Sequence, residues 1–432
     1  MTARLRLVVI SFLALFVCVP ASGAGGANGA GELTFYPQAG ILWRDLYPNN
    51  FVDLDPGQGV RDYACGTQTY DGHTGTDSDI RSFREMDIGV PVFAALDGRV
   101  ISVQDGHFDR NFGPTGSRFD NHVVLEHGPG RFTIYGHLRE GIELRRGDRV
   151  VAGRQIGWTA SSGNSTWPHL HFTSQVASQI QEPFSGPCND GPSGYSEQVP
   201  IPTEAYLRDL TLSTKPMSGQ RDLPYDRAVR TGTFARGTRT FYARVELAAA
   251  FDPDPGILRL RVYRPSGNAV GGVTTAVRTV HGRGFWWFPL EVRLDRVARW
   301  RLVVDLDEKV LADVPFDVVA KTVQIRNRAP RAVSVELVPA SPSPSRPVQC
   351  LVRTSLVTED PDFEIVRYRY RWTVDGKLVR AVQSAALSDV LRKGLAGAGK
   401  RVRCSVTPSD GRLSGPTASA GSFLSALALR RT

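Results

Sequence analysis

The chain predicts a mainly β protein, an antiparallel β-sheet domain followed by two β-sandwich (Ig-like) domains. Three observations carry that expectation. Short apolar runs recur between turn signals, while runs with helical period are scarce. Glycine and proline are plentiful, at 43 and 28 of 432 residues, which breaks helices and supplies turns. In the second half, apolar and charged residues alternate, as in strands with one wet face. A length of 432 residues suits two to four domains. With 41% hydrophobic and 22% charged residues the composition is that of a folded globular chain, not a disordered one.

Residues 1–24 read as a secretory signal peptide. Arg4 and Arg6 precede an apolar run from Leu7 to Val19 that is too short to span a bilayer, and Ser22-Gly23-Ala24 offers small residues for cleavage. Cys18 is not a lipidation site, because Phe16-Val17 before it are too bulky. No later segment suits a membrane helix, so the mature protein is expected without a membrane span, secreted to the periplasm or the extracellular medium. Cys65, Cys188, Cys350 and Cys404 remain, and they permit three pairings. Local closure in an oxidising compartment favours Cys65–Cys188 and Cys350–Cys404. No C-x-x-C spacing supports a zinc tetrad.

The net charge of +9, from 52 basic and 43 acidic residues, is spread along the chain. It reads mainly as a solvated surface; an exported protein with this balance would meet cell-wall polymers rather than nucleic acid.

Residues 25–62 form an N-terminal extension, Gly-rich and then rich in proline and aromatics. Residues 63–205 form the first domain, with strands expected at Val92-Phe93-Ala94-Ala95, Arg99-Val100-Ile101-Ser102-Val103, His122-Val123-Val124-Leu125-Glu126, Phe132-Thr133-Ile134-Tyr135 and Gln155-Ile156-Gly157-Trp158. Asp97-Gly98 predicts a hairpin between the first two. Residues 211–224, polar with two prolines, read as a linker. A β-sandwich follows over residues 215–325, on strands such as Leu258-Arg259-Leu260-Arg261-Val262. Phe285-Trp286-Trp287-Phe288 reads as its core or edge rather than a sugar site. Arg326-Asn327-Arg328-Ala329-Pro330 is a second linker. Over residues 330–425 the order Cys350…Trp372…Cys404 predicts an Ig-like sandwich, with Ser341-Pro342-Ser343-Pro344-Ser345 looping between its first two strands. Glu359-Asp360-Pro361-Asp362 reads as a solvated acidic turn rather than a calcium loop.

Chemistry concentrates in the first domain, where seven of the eight histidines fall between His73 and His171. In Pro168-His169-Leu170-His171-Phe172 a strand would put His169 and His171 on one face and Leu170 and Phe172 on the other. His73 and Asp77 flank Gly75, and His137 follows Tyr135-Gly136. Four histidines and a carboxylate form the inventory of a catalytic zinc site, which takes three protein ligands and leaves one position open. Asp77 lies four residues from His73, but Gly75 argues for a turn or strand end rather than a helix. His107, His122 and His127 read as turn or surface histidines, and His281 as irrelevant.

The motifs His73-Thr74-Gly75-Thr76-Asp77, Tyr135-Gly136-His137-Leu138 and His169-Leu170-His171-Phe172, in that order, resemble the lysostaphin-type (LytM-like) zinc metallopeptidases. Those are bacterial peptidoglycan endopeptidases that cut peptide cross-links of the cell wall. The stretches from Gly89 to Val100 and from Arg146 to Gly157 are similar to that family's first hairpin and to the turn before its last strands. The resemblance covers roughly residues 63 to 185. It implies one Zn2+ held by His73, Asp77 and His171. It implies His169 as general base, and His137 as the partner that holds water or stabilises the oxyanion. It also implies peptides of peptidoglycan cross-links or stems as substrate. The C-terminal domains are expected to keep the enzyme near its polymer. The alternatives are a non-catalytic cell-wall regulator of the amidase-activator type, or a metallopeptidase of non-wall proteins. The chain departs from the family in two places. Trp167 stands where a small residue is usual, and is expected to wall the groove or stack on substrate. The segment from Ser78 to Ile88 is longer than usual and is expected to rim the cleft.

Overall fold

The computed structural model describes residues 31–113, 119–202, 204–216, 230–248, 256–279 and 282–425. The expected signal peptide and His281 lie outside them. Among the described residues no helix is long and apolar enough to cross a membrane.

The first unit contains β1 (Tyr47–Asn50), β2 (Thr76–Asp79), α1 (Phe83–Ile88), β3 (Pro91–Phe93), β4 (Gly98–Gln104), β5 (His122–Glu126), β6 (Arg131–Gly136), β7 (Arg149–Val150), β8 (Gln155–Trp158), β9 (His169–Val176) and β10 (Gln179–Gln181). One antiparallel sheet runs β1-β2-β9-β6-β5-β4-β7, with β10 added to β9. Alternation explains it: Val123 and Leu125 of β5 and Leu170 and Phe172 of β9 are wholly buried on the core face. The segment before β2 is part of this core, to which Leu46, Tyr47, Phe51 and Tyr63 contribute. Cys65 is bonded to Cys188.

The Asp97-Gly98 hairpin does not form. β3 pairs with β8, and β4 with β5 and β7. Asp97 instead accepts a hydrogen bond from the Ala152 N–H (2.8 Å). A Cβ on residue 98 would stand 2.7 Å from the Glu126 carbonyl oxygen. The dipeptide therefore turns a corner between two sheets.

The second unit contains β11 (Tyr206–Ser213), β12 (Thr233–Ala235), β13 (Phe241–Ala248), β14 (Gly256–Tyr263), β15 (Ala269–Val277), β16 (Arg283–Leu290), β17 (Ala298–Leu306) and β18 (Lys309–Val319). The sheets β11-β13-β16 and β12-β18-β17-β14-β15 enclose a core around Trp300, Phe316, Phe234 and Phe241. Residues 211–213 are not linker; they finish the buried strand β11, paired with β13. Within Phe285-Trp286-Trp287-Phe288, on edge strand β16, Trp286 and Phe288 pack on this core.

The third unit contains β19 (Ser334–Val338), β20 (Val348–Arg353), β21 (Arg367–Val374), β22 (Lys377–Ser384), β23 (Ser388–Leu391), β24 (Arg401–Ser409) and β25 (Ala418–Phe423). Its sheets run β19-β20-β23 and β22-β21-β24-β25. Cys350 on β20 and Cys404 on β24 join them, beside fully buried Trp372.

Ionic contacts cross between the units. Fully buried Arg208 donates to Glu246 (2.7 Å) and to the Asp45 carbonyl (2.8 Å). Arg81 holds Glu85 at 2.6 Å and faces Glu359 at 3.8 Å. The segment expected to rim the cleft is thus a buried wedge: Ile80, Arg81, Ser82, Phe83, Glu85 and Met86 are all inside. The acidic turn is buried too. Tyr368 donates to Glu359, and Arg328 reaches Asp362 at 2.8 Å. Cations from distant segments take the place of water around these carboxylates.

Candidate metal centre

β2 and β9 lie antiparallel with Asp77 directly opposite His171 and Asp79 opposite His169. Side chains directly opposite in such a ladder are near neighbours, so the pairing brings a carboxylate and an imidazole together. His73 arrives from the preceding loop, which is fixed where the Asp53 N–H donates to the His73 carbonyl (2.9 Å). Gly75 is required by crowding rather than by an unusual turn. A Cβ there would stand 2.9 Å from the His171 ring and 2.7 Å from the Phe172 carbonyl oxygen.

Three donor atoms converge. His73 Nε2 is 3.1 Å from Asp77 Oδ2 and 3.2 Å from His171 Nδ1, and His171 Nδ1 is 2.7 Å from Asp77 Oδ1. The outer ring atoms fix what faces inward. His73 Nδ1 donates to the Phe51 carbonyl (2.7 Å), and His171 Nε2 lies 3.0 Å from the Thr173 hydroxyl. With those nitrogens protonated, lone pairs of both rings point at a carboxylate. In that tautomer a cation between them would link the three groups. Two imidazoles and one carboxylate, with edges near the roughly 3.3 Å expected around a tetrahedral zinc, fit that ion.

The triad attracts positive charge, whether a proton or a metal ion. Burial works to raise the Asp77 carboxyl, but His73, His169 and His171 outweigh it and hold it well below the usual range. Burial works to lower His73, but Asp77 and the Phe51 carbonyl outweigh it and hold the imidazole above its ordinary value.

His137 and His169 stand beside the triad, ring centroids 4.4 Å apart. His169 Nε2 is 3.7 Å from Asp77 Oδ1. Each ring donates its Nδ1–H to a loop carbonyl, His137 to Ser162 (2.7 Å) and His169 to Trp167 (2.7 Å). That leaves Nε2 of each ring for other partners. Burial, reinforced by His169, pushes His137 down to about 4. His137 also has a left-handed backbone, φ +57°, and its N–H donates to Asp120 Oδ2 (3.0 Å).

All five residues singled out in the sequence therefore meet at one place. Asp120 was not among them. It bridges the His137 backbone and the His122 ring (2.9 Å), which gives His122 a place in the support of the site. No spacing marks Asp120, because its partner is a backbone N–H 17 residues away. His127 bonds the Asp97 carbonyl and Thr133, and His107 lies beside Gln104. Trp167 is not free to stack on a substrate. Its ring is only 8% exposed and donates to the Ile80 carbonyl (2.7 Å). Half-exposed Tyr70 lies over His73, centroids 4.4 Å apart.

Residues 72–183 match the family described as Peptidase family M23. Peptidoglycan DD-endopeptidase ShyA of Vibrio cholerae serotype O1 is 36% identical over 100 residues, covering 23% of this chain and 19% of that protein. Glycyl-glycine endopeptidase ALE-1 of Staphylococcus capitis is 38% identical over 88 residues, covering 20% of this chain and 22% of that one. The match thus spans about a fifth of the length of these curated relatives. Among solved structures, the catalytic domain of the antimicrobial peptidase lysostaphin from Staphylococcus simulans is similar at 27% identity. That match covers 32% of this chain and 86% of that chain, with a TM-score of 0.21.

Proposed function

We propose that this chain, whose residues 72–183 form a peptidase family M23 domain, is an exported zinc metalloendopeptidase that hydrolyses peptide bonds of peptidoglycan cross-links or stems. The observation that carries the reading is the convergence of three potential ligand atoms, His73 Nε2, an Asp77 carboxylate oxygen and His171 Nδ1, within hydrogen-bond distance of one another. Zinc held there would supply Lewis acidity towards water and the scissile carbonyl.

The rest is done by the chain's own groups. His169 spends its Nδ1–H on the Trp167 carbonyl, so Nε2 is available to take a proton from the attacking water and to pass it to the leaving amine. His137, held neutral by burial and with its N–H likewise engaged, offers water an acceptor at Nε2. That favours holding and orienting water over donating to an oxyanion. The non-catalytic alternative fits poorly with a chain that keeps all five groups. Export agrees with two disulfides, which persist in oxidising compartments. The relatives named peptidoglycan endopeptidases support the choice of substrate.

Purified protein should contain one zinc per chain and release cross-linked peptides from isolated cell wall as new amino termini. A zinc-loaded wild type that leaves the wall intact would overturn the proposal.

A further inference from the structure

We infer that Arg283, on the edge strand of the second unit, is a positioning residue for His169; this rests on the proton-accepting role proposed above. Two neighbours of His169 hold it in place. The Trp167 carbonyl accepts its Nδ1–H (2.7 Å), which fixes the ring's tautomer and direction. Asp79 is its partner in the β2–β9 ladder. One side chain of the second unit grips both.

The Arg283 guanidinium pairs with the Asp79 carboxylate across 204 positions of chain. Its Cζ also lies 4.9 Å from the Trp167 ring centroid and 5.0 Å from that of Phe285. Phe285 itself packs on Trp167, centroids 5.3 Å apart. Arg283 and Phe285 alternate on β16 and so share a face, while Trp286 and Phe288 turn into the unit's own core. Trp167 is therefore clamped between the Ile80 carbonyl, to which its Nε1–H donates, and this Arg–Phe pair.

Two features set this contact apart from ordinary glue. The Asp79 side chain is 2% exposed, and its Oδ1 has no hydrogen-bond partner among the described residues. The pairing at Oδ2 is thus the hydrogen bond its carboxylate has, and the planar guanidinium is suited to pair and stack at once. Trp167 stands next but one to His169, and its ring and its carbonyl share one residue, the ring bonded to Ile80 and the carbonyl to His169. The residue that departs from the family pattern is, on this reading, the handle by which the second unit steadies the histidine.

The test uses the zinc-loaded full chain. Arg283→Gln should keep its zinc and lose kcat by about ten-fold or more, with KM within about two-fold. The Nδ1–H resonance of His169 in a ring 1H–15N spectrum should shift and exchange faster with water. Arg283→Lys, which keeps the charge but loses the flat stack, should recover part of kcat. Should Arg283→Gln fail to fold, Phe285→Ala removes one wall of the clamp and leaves Asp79 paired; it should show the same resonance change in milder form. An unchanged His169 resonance together with unchanged kcat overturns the inference, as does a loss of kcat that follows zinc loss alone. If the wild type binds zinc but cuts no wall peptide, the proposed function fails, and the His169 resonance alone decides whether Arg283 steadies that ring.

Discussion

The two halves of the site touch, yet they are held by different means. His171 and Asp77 are fixed by the ladder between β2 and β9, and His73 by the loop just before it. All of that lies within one sheet and the loop that leads into it. His137 and His169 depend instead on loop carbonyls at Ser162 and Trp167, on Asp120, and through Trp167 on a strand of another unit. Affinity for the ion is thus a local property of the first unit, while the aim of the proton-handling pair also draws on the second.

That contrast can be broken most severely at His171. His171→Ala should lose zinc by metal analysis and reduce wall hydrolysis to background, and removal of zinc by a chelator should do the same reversibly. His169→Ala should keep its zinc yet lose activity by about 10²- to 10⁴-fold. A variant that lost both together would merge the two halves. Asp120→Ala, which removes the support of the His137 backbone and of the His122 ring, should keep its zinc and lose about ten-fold in kcat.

The smallest effect concerns the distant supports. Burial, against the pull of Arg81, pushes the Glu359 carboxyl up to about 8. A carboxyl whose folded value lies above its unfolded one binds more protons when folded, so its contribution is full at low pH and is lost as pH rises. The share of the melting temperature that Glu359 carries should therefore fall between roughly pH 4.5 and 8, and Glu359→Gln should remove that share of the pH dependence.

All five groups of the site are named from the sequence, and strand geometry accounts for two of them, His169 and His171. Two histidines two apart on a strand must share a face, and Leu170 and Phe172 mark the opposite face as core. What escaped depends on contacts between distant segments. Asp97-Gly98 has the composition of a hairpin, but which strands pair across it is decided by β8 and β5. Glu359-Asp360-Pro361-Asp362 reads as wet because nothing nearby partners it; Arg328 pairs with Asp362 and Tyr368 donates to Glu359 from elsewhere. Trp167 stands out as unusual, but its partner lies on β16 and no local pattern names it. Asp120 serves a main-chain N–H, which leaves no trace in residue types.

His137 carries one last implication. A residue other than glycine pays about 1 kcal/mol to sit in the left-handed region its backbone occupies. A chain shaped by durability alone would put glycine there. That an imidazole occupies the corner instead places this position among those where a protein gives up robustness for reactivity, and His137→Gly should yield a molecule at least as hardy and far less able.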